Sequence, residues 1–395
     1  MTLSAILELL PIFQSFFFVI LFGFFLKRTF PNILMFFVMF SYFLVLLLGY
    51  ISGYLKYEIS IYSYYLMMPF LLAFMPFLYF YVLSLVERDF KFKPKLLLHF
   101  IPSILILIIS SFLLFYSSKE ELKGLIEHTI KYNQIKCYWI STYIKFYFIV
   151  MSYIYNIQSF TYNIIIIYII YKHSKSIENE FSYKNKISLS WISNVVLAIS
   201  IFSIINTIIF LLIYDIGSIS TIITNVVAFL YISFMGYFAS QQTLVYKEAE
   251  EKTTIFSAEI ETISEENSSE KATNDISSSG LESIAKQLNI LMESEKLYLN
   301  PELCLNDISE KTGYHKNIIS KTISRNFQTN FFHWVNSYRI KEVERMFKDA
   351  SYNKLSIEGL ANSAGFNSKS VFNPEFKSFT GLTPSEYRKK FGENF

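Results

Sequence analysis

Charged residues are scarce in this sequence, and cysteines are scarcer. Only 17% of the 395 residues are Asp, Glu, Lys or Arg, whereas 52% are hydrophobic. This balance is far more apolar than that of an average soluble protein. The net charge of +3 is too small to indicate a partner through bulk electrostatics. The composition therefore argues against one ordinary soluble domain and directs attention to where the apolar residues lie.

The chain also lacks the residue patterns that catalysis and metal binding use. Its two cysteines, Cys137 and Cys304, lie in regions of different composition, which argues against a disulfide framework. No HExxH, GxSxG, P-loop or pair of carboxylates within an apolar stretch occurs, and no spacing typical of a zinc site. We therefore predict that the protein is not an enzyme and needs no cofactor or metal.

Long hydrophobic runs are what the sequence does contain, and they concentrate in residues 1–246. A helix needs about 20 mostly apolar residues to cross a bilayer. Seven stretches meet this condition, and the first is interpreted as a span because no cleavage site of a signal peptide follows it. The sequence predicts a seven-span transmembrane domain over residues 1–246, with spans near 5–26, 33–54, 63–85, 96–117, 146–171, 187–213 and 220–245.

The loops between these stretches differ in their content of lysine and arginine. With the N-terminus outside, the inner loops carry ten basic residues and the outer loops carry five, which favours this orientation. The inner set is Lys27, Arg28, Arg88, Lys91, Lys93, Lys95, Lys172, Lys175, Lys184 and Lys186. Seven spans then place the C-terminal region in the cytosol.

Polar side chains inside the predicted spans are few. The charged candidates Glu8, His99 and Lys145 lie near span ends, where they reach the headgroup region. Amides are more frequent, and two interpretations stay open for them: they line a ligand cavity, or they form hydrogen bonds between helices. The amides are Gln14, Asn156, Gln158, Asn163, Asn194, Asn206 and Asn225.

Residues 247–280 differ from everything before them. They hold nine acidic residues against three lysines and few apolar side chains. Such a segment buries too little surface to offset the entropy lost on ordering. We predict an acidic flexible linker here.

Helical periodicity returns at Leu281, and residues 303–327 then combine two short helical patterns around a glycine. Leu305 and Ile308 lie on the buried face of the first pattern, and Gly313 is suited to end it in a left-handed conformation. A second helix is predicted to begin near His315. Helix, short glycine turn and helix is the spacing of a DNA-binding helix-turn-helix. The exposed face of the second helix carries Lys316, Asn317, Ser320, Lys321 and Ser324.

The same arrangement recurs over residues 354–379, after a predicted connecting helix at 330–350. Gly365 lies at the turn, and Ser356 and Ser368 are suited to cap the two helices at their N-termini. We therefore predict an all-α fold in two parts: a seven-helix transmembrane bundle, and a cytosolic domain at 281–395 with two helix-turn-helix units.

The stretch SIEGLANSAGFNSKSVFNPEFKSFTGLTPSEYRKKF resembles the signature of the AraC/XylS family of bacterial transcription regulators, and the likeness covers residues 285–390. The resemblance implies seven helices, two helix-turn-helix units and one helix of each unit in the DNA major groove. Carried onto this chain, it implies base-facing roles for Asn317, Ser320 and Lys321 in the first unit, and for Lys369, Ser370, Asn373 and the position of Pro374 in the second. Residues 76–102 are also similar to the membrane sensor halves of some bacterial regulators.

Pro374 departs from the family pattern, which has a helix-compatible and often basic residue there. Proline in a helix interior costs roughly 3 kcal/mol because it removes a hydrogen bond and clashes with the preceding turn. It lies six positions after the predicted cap at Ser368 and so is not in the first turn. We therefore expect the helix to be kinked or redirected.

These features together predict a membrane-bound one-component transcription regulator in the bacterial inner membrane. Its expected partners are double-stranded promoter DNA, the lipid bilayer, a small-molecule or envelope signal, and a second copy in a homodimer. The alternative is a transporter or channel-like protein whose helical tail regulates it. Solute flux without DNA binding would distinguish the alternative.

Overall fold

The computed structural model describes residues 3–54, 57–87, 90–116, 138–183, 189–198, 200–201, 223–242 and 278–391. These residues form helices and no strand, apart from one isolated antiparallel bridge between Phe181 and Cys304. They divide into two compact units. The first unit comprises residues 1–170 and 190–244, and the second comprises residues 171–189 and 245–395.

The first unit is built from long apolar helices. Helix α1 (Leu3–Ile20) continues as one π-helical segment, Leu21–Phe25, and is followed by α2 (Phe30–Tyr54) and α3 (Tyr57–Val86). A 3₁₀ segment, Pro94–Phe100, leads into α4 (Ile101–Tyr116). Helix α5 (Tyr138–Glu180) is the longest and contributes its last ten residues to the second unit. Residues 190–198 and Ile223–Gln242 are also helical.

Six helices in the described part of the chain are long and apolar enough to cross a membrane. Large apolar side chains such as Phe13, Phe24 and Phe115 are exposed on them, at 67%, 78% and 84%. Exposed apolar surface on this scale indicates contact with lipid or protein. The predicted sixth span, 187–213, lies largely outside the described residues, so the count of seven stays a prediction.

The amides of the first unit make contacts between helices. Gln158 Nε2 donates to Leu72 O at 3.1 Å, and Asn163 Nδ2 donates to Ser200 Oγ at 2.6 Å. Gln14 donates to Ser233. These three amides therefore take part in hydrogen bonds between helices, the second of the two interpretations.

Besides the end of α5, the second unit contains seven α-helices among its described residues, the number that the family resemblance implies. They are α6 (Ser278–Glu295), α7 (Leu305–Thr312), α8 (Lys316–Asn326), α9 (Phe331–Phe347), α10 (Ile357–Ser363), α11 (Lys369–Thr380) and α12 (Pro384–Phe391). Helix α6 begins at Ser278, so the last three residues of the predicted linker are helical. The rest of the predicted linker lies outside the described residues.

Two hydrophobic cores occupy this unit, and helix α9 belongs to both. The first core joins α6, α7 and α8 to the N-terminal half of α9 through residues such as Leu288, Ile319 and Val335. The second joins the C-terminal half of α9 to α10, α11 and α12 through residues such as Val343 and Phe376. Each helix-turn-helix pair is therefore packed on its own half of one shared helix.

Candidate DNA-binding surface

The first helix-turn-helix unit is formed by α7 and α8. Asp307 Oδ2 accepts a hydrogen bond from Cys304 N at 2.8 Å, which caps the start of α7. Gly313 ends α7 with φ +71°, the left-handed conformation that the sequence predicts. His315 then caps α8, with its Nδ1 accepting from Asn317 N at 3.4 Å. The turn chemistry thus fixes where α8 begins and which face it buries.

The faces of α8 divide as the sequence predicts. Ile319, Thr322 and Ile323 are buried against the first core. Among the predicted DNA-contacting residues of this helix, Ser320 is half-buried and the others are exposed: Lys316, Asn317, Lys321 and Ser324. The structure therefore brings these five side chains to one helix. Hydroxyl, amide and ammonium groups of this kind bond base edges and phosphates.

The second unit is formed by α10 and α11. Ser356 Oγ accepts from Gly359 N at 3.0 Å and caps α10, while Ser368 Oγ accepts from Val371 N at 3.4 Å and caps α11. Gly365 between them has φ +92°. Both predicted N-caps and the predicted glycine turn are therefore present.

Helix α11 presents a smaller polar face than α8. Lys369 and Ser370 are exposed, and Asn373 is half-buried. Ser370 Oγ lies 3.1 Å from Ser368 Oγ, so its hydroxyl is shared with the cap. Phe372 and Phe376 are buried on the opposite side. Contact of these residues with DNA stays a prediction.

Pro374 lies inside α11, which is assigned as one helix from Lys369 to Thr380. Its ring is exposed, and the buried Phe372 and Phe376 flank it. Gly381, with φ +78°, ends the helix one residue after Thr380. Burial of Phe372 and Phe376 and the caps at both ends stabilise the helix, so it continues through Pro374 although proline disfavours helix there.

We expect Pro374→Ala to stabilise α11. Proline costs roughly 3 kcal/mol against alanine in a helix interior, and about 1 kcal/mol of this is offset because proline restricts the unfolded chain. The net gain of about 2 kcal/mol should slow exchange of the amides of α11 by roughly 10- to 30-fold. Hydrogen–deuterium exchange of the full chain measures it, and unchanged exchange in α11 would show that the proline is not strained there.

Two polar contacts in this unit are not indicated by the sequence. His333 Nδ1 lies 2.7 Å from Glu375 Oε2 and links α9 to α11 across 42 positions. The guanidinium of Arg388 donates to Leu355 O at 2.8 Å and to Asn353 O at 2.7 Å. Arg388 therefore holds α12 on the loop before α10. The basic residues Lys389 and Lys390 follow it in the sequence.

Residues 308–390 match the family model described as "Helix-turn-helix domain". An uncharacterized HTH-type transcriptional regulator of Staphylococcus aureus strain COL is 29% identical over 102 residues, and one of strain MSSA476 shows the same identity and coverage. The Msm operon regulatory protein of Streptococcus mutans is 27% identical over 92 residues. No solved structure matches the chain significantly.

The matched segments cover part of each protein. They are 26% of this chain and 13% of each Staphylococcus relative, and 23% of this chain and 32% of the Streptococcus relative. The likeness therefore concerns the C-terminal unit. Together with the two helix-turn-helix pairs, it supports a helix-turn-helix domain similar to those of transcription regulators.

Proposed function

We propose that this protein is a membrane-bound transcription regulator that binds promoter DNA through both helix-turn-helix units. The observation that carries the proposal is the pairing of a buried apolar face with an exposed polar face on α8. Among the described residues, Lys316 and Lys321 on that face pair with no carboxylate. Unpaired ammonium groups beside hydroxyls and an amide suit contact with phosphates and base edges.

The membrane half of the proposal rests on the six apolar helices. We propose that residues 1–246 span the bacterial inner membrane seven times, with the N-terminus outside and residues 281–395 in the cytosol beyond an acidic linker at 247–280. A signal sensed among the spans would shift the population of states available to the DNA-binding unit. Dimers would raise the effective concentration of two such units on paired sites.

Lys321→Ala tests the assignment of α8. Loss of one contact to a base or phosphate costs about 1–3 kcal/mol, so we expect roughly 5- to 150-fold weaker binding. If the lysine contacts a phosphate, the slope of log affinity against log salt concentration should also decrease in magnitude by about one. The measurement uses the full chain in lipid nanodiscs, with DNA selected from a random duplex library at a fixed salt concentration.

Lys348→Ala serves as the matched control, because Lys348 is an exposed lysine at the C-cap of α9 and belongs to neither α8 nor α11. It should leave affinity within about twofold, as expected for a surface change away from the contact. Equal behaviour of the two variants would show that α8 does not face DNA. Failure of the library to yield any shared sequence would move the transporter alternative forward.

A further inference from the structure

The second unit contains a segment from far upstream in the chain. Residues 171–183, here called the docking segment, comprise the last ten residues of α5 and the three that follow. The sequence changes character at this point: apolar residues give way to Lys172, Lys175, Glu178 and Glu180. Ile177 and Ser182 are nevertheless 5% and 1% exposed. The docking segment is therefore polar in sequence yet partly buried.

Its main contact is with a buried arginine. Arg339 on α9 is 1% exposed, and burial lowers its pKa from the usual range. Among the described residues, the hydrogen bonds of this guanidinium all go to oxygens of neutral groups. Nε donates to Tyr298 O and Nη2 to Asn300 O, both at 2.7 Å, and Nη1 donates to Asn336 Oδ1 at 3.0 Å.

Ser182 supplies the remaining acceptors. Arg339 Nη1 donates to Ser182 O and Nη2 donates to Ser182 Oγ, both at 3.0 Å, across 157 positions of sequence. The Ser182 hydroxyl in turn donates to Leu303 O at 2.7 Å, and Ser182 N donates to the same oxygen at 3.1 Å. Every polar atom of Ser182 is thus engaged either with Leu303, just before α7, or with Arg339 on α9. An uncharged serine replaces the counterion that a buried arginine usually needs.

Two further contacts extend this attachment along the docking segment. Phe181 forms an antiparallel bridge with Cys304, immediately before α7. Glu178 Oε2 accepts from Asn330 Nδ2 at 3.2 Å, and Asn330 is the N-cap of α9. The docking segment therefore touches the start of α7 and the junction between α8 and α9, the two ends of the first helix-turn-helix unit.

The docking segment also stands beside the predicted DNA-contacting edge of α8. One cleft is lined by Lys175, Glu178 and Asn179 on one side, and by Ser320, Ser324 and Gln328 on the other. A duplex that engaged Ser320 and Ser324 would need this space. Side chains of the docking segment already occupy one side of it, and because Lys175 and Glu178 carry opposite charges, the obstacle to the duplex is steric.

We propose that residues 171–183 dock on α7, α8 and α9 and compete with DNA for the first helix-turn-helix unit. This inference rests on the proposed DNA-binding function. Because the docking segment is the continuation of α5, withdrawal of Ser182 from Arg339 frees the edge of α8. The apolar part of α5 and the DNA-binding unit are thereby connected by α5 itself, in addition to residues 243–277.

Ser182→Arg in the full chain tests the competition. It places a second guanidinium against Arg339 and should undock the segment. Ser176→Arg is the matched control, because Ser176 is exposed on the same part of α5. If the segment is docked about nine-tenths of the time, Ser182→Arg should tighten DNA binding about tenfold, and Ser176→Arg should leave it unchanged.

Cys304 reports docking independently of DNA. Burial, followed by the neighbouring Asp307 carboxylate, raises the pKa of its thiol to about 11, so the docked thiol should react slowly with iodoacetamide. In a Cys137→Ser background, Ser182→Arg should raise its alkylation rate, as followed by mass spectrometry. Faster alkylation with unchanged or weaker DNA binding would overturn the competition.

A reversible crosslink keeps the test valid if Ser182→Arg fails to fold. Asn179→Cys and Thr329→Cys place thiols in the same cleft, with Cys137→Ser and Cys304→Ser removing the native thiols. A short thiol-cleavable crosslinker should lower DNA affinity at least tenfold, and reduction should restore it. Equal affinity before and after reduction overturns docking as a competitor while leaving the proposed function intact. Absence of DNA binding in every state, wild type included, overturns the proposed function and this inference with it.

Discussion

Gly365→Ala is expected to unfold the second helix-turn-helix unit. Gly365 has φ +92°, and an added Cβ would lie 2.4 Å from Tyr298 O and 3.0 Å from Leu299 O. Both obstacles are backbone atoms, and Tyr298 O also accepts the hydrogen bond from Arg339 Nε. Backbone strain of about 1–3 kcal/mol therefore adds to a clash that can be relieved only by breaking that bond. We expect a total cost of about 4 kcal/mol or more, at the upper end for single substitutions.

Gly313→Ala is the matched control for this experiment. Gly313 also has a left-handed backbone, with φ +71°, but no atom lies within 4 Å of the Cβ position. Its cost should be the conformational strain alone, about 1–2 kcal/mol. Hydrogen–deuterium exchange of the full chain should show fast exchange across α10 and α11 for Gly365→Ala and near-normal exchange for Gly313→Ala. Similar exchange in the two variants would show that the contact with Tyr298 does not constrain Gly365.

Arg339→Met should be the second most damaging change. Methionine fills much of the same volume but leaves the oxygens of Tyr298, Asn300 and Ser182 without the hydrogen bonds that the guanidinium donates. Each unsatisfied buried acceptor costs about 1–3 kcal/mol, and relief from burying a charge offsets part of the sum. We expect a net loss of about 3 kcal/mol, together with detachment of residues 181–183.

Arg325→Met provides the comparison, because Arg325 is an exposed arginine on α8 and its loss should change stability by about 0.5 kcal/mol or less. The stability of both variants is measured by thermal unfolding of the nanodisc-embedded chain, with hydrogen–deuterium exchange of the α9 amides as the readout. Arg339→Lys should fall between them, since an ammonium has three donors and reaches part of the same set. If Arg339→Met is as stable as Arg325→Met, the hydrogen bonds around Arg339 are not needed for folding.

The helix-turn-helix units are predictable because their determinants are local. Buried positions recur every three or four residues, and Gly313, Ser356 and Ser368 each act within a few residues of their position in the chain. Local patterns of this kind are readable without knowledge of the fold. The same local reasoning predicts that Pro374 kinks or redirects α11. The helix runs through Pro374 from Lys369 to Thr380 with Phe372 and Phe376 buried on one face, and a kink at Pro374 stays a prediction.

The contacts that the sequence does not reveal are distant ones. Ser182 and Arg339 are 157 positions apart, and His333 and Glu375 are 42 apart. Neither pair belongs to a spacing pattern, and a serine on a buried arginine is a less recognisable combination than a carboxylate. The end of α5 is also determined by distant contacts that the sequence does not reveal. Its predicted span stops at residue 171, where polarity rises, whereas the helix continues to Glu180 because its polar end packs on the second unit.

The shared helix α9 has a consequence for the kind of DNA site this unit accepts. Its 17 residues make a rod of about 25 Å, and each end is embedded in one core. The separation and relative rotation of α8 and α11 are therefore set by the protein. A duplex completes one turn in about ten base pairs. Inserting five base pairs between the two subsites would thus move the second subsite to the opposite face of the double helix. Because α9 is one continuous helix, α11 could not move with that subsite.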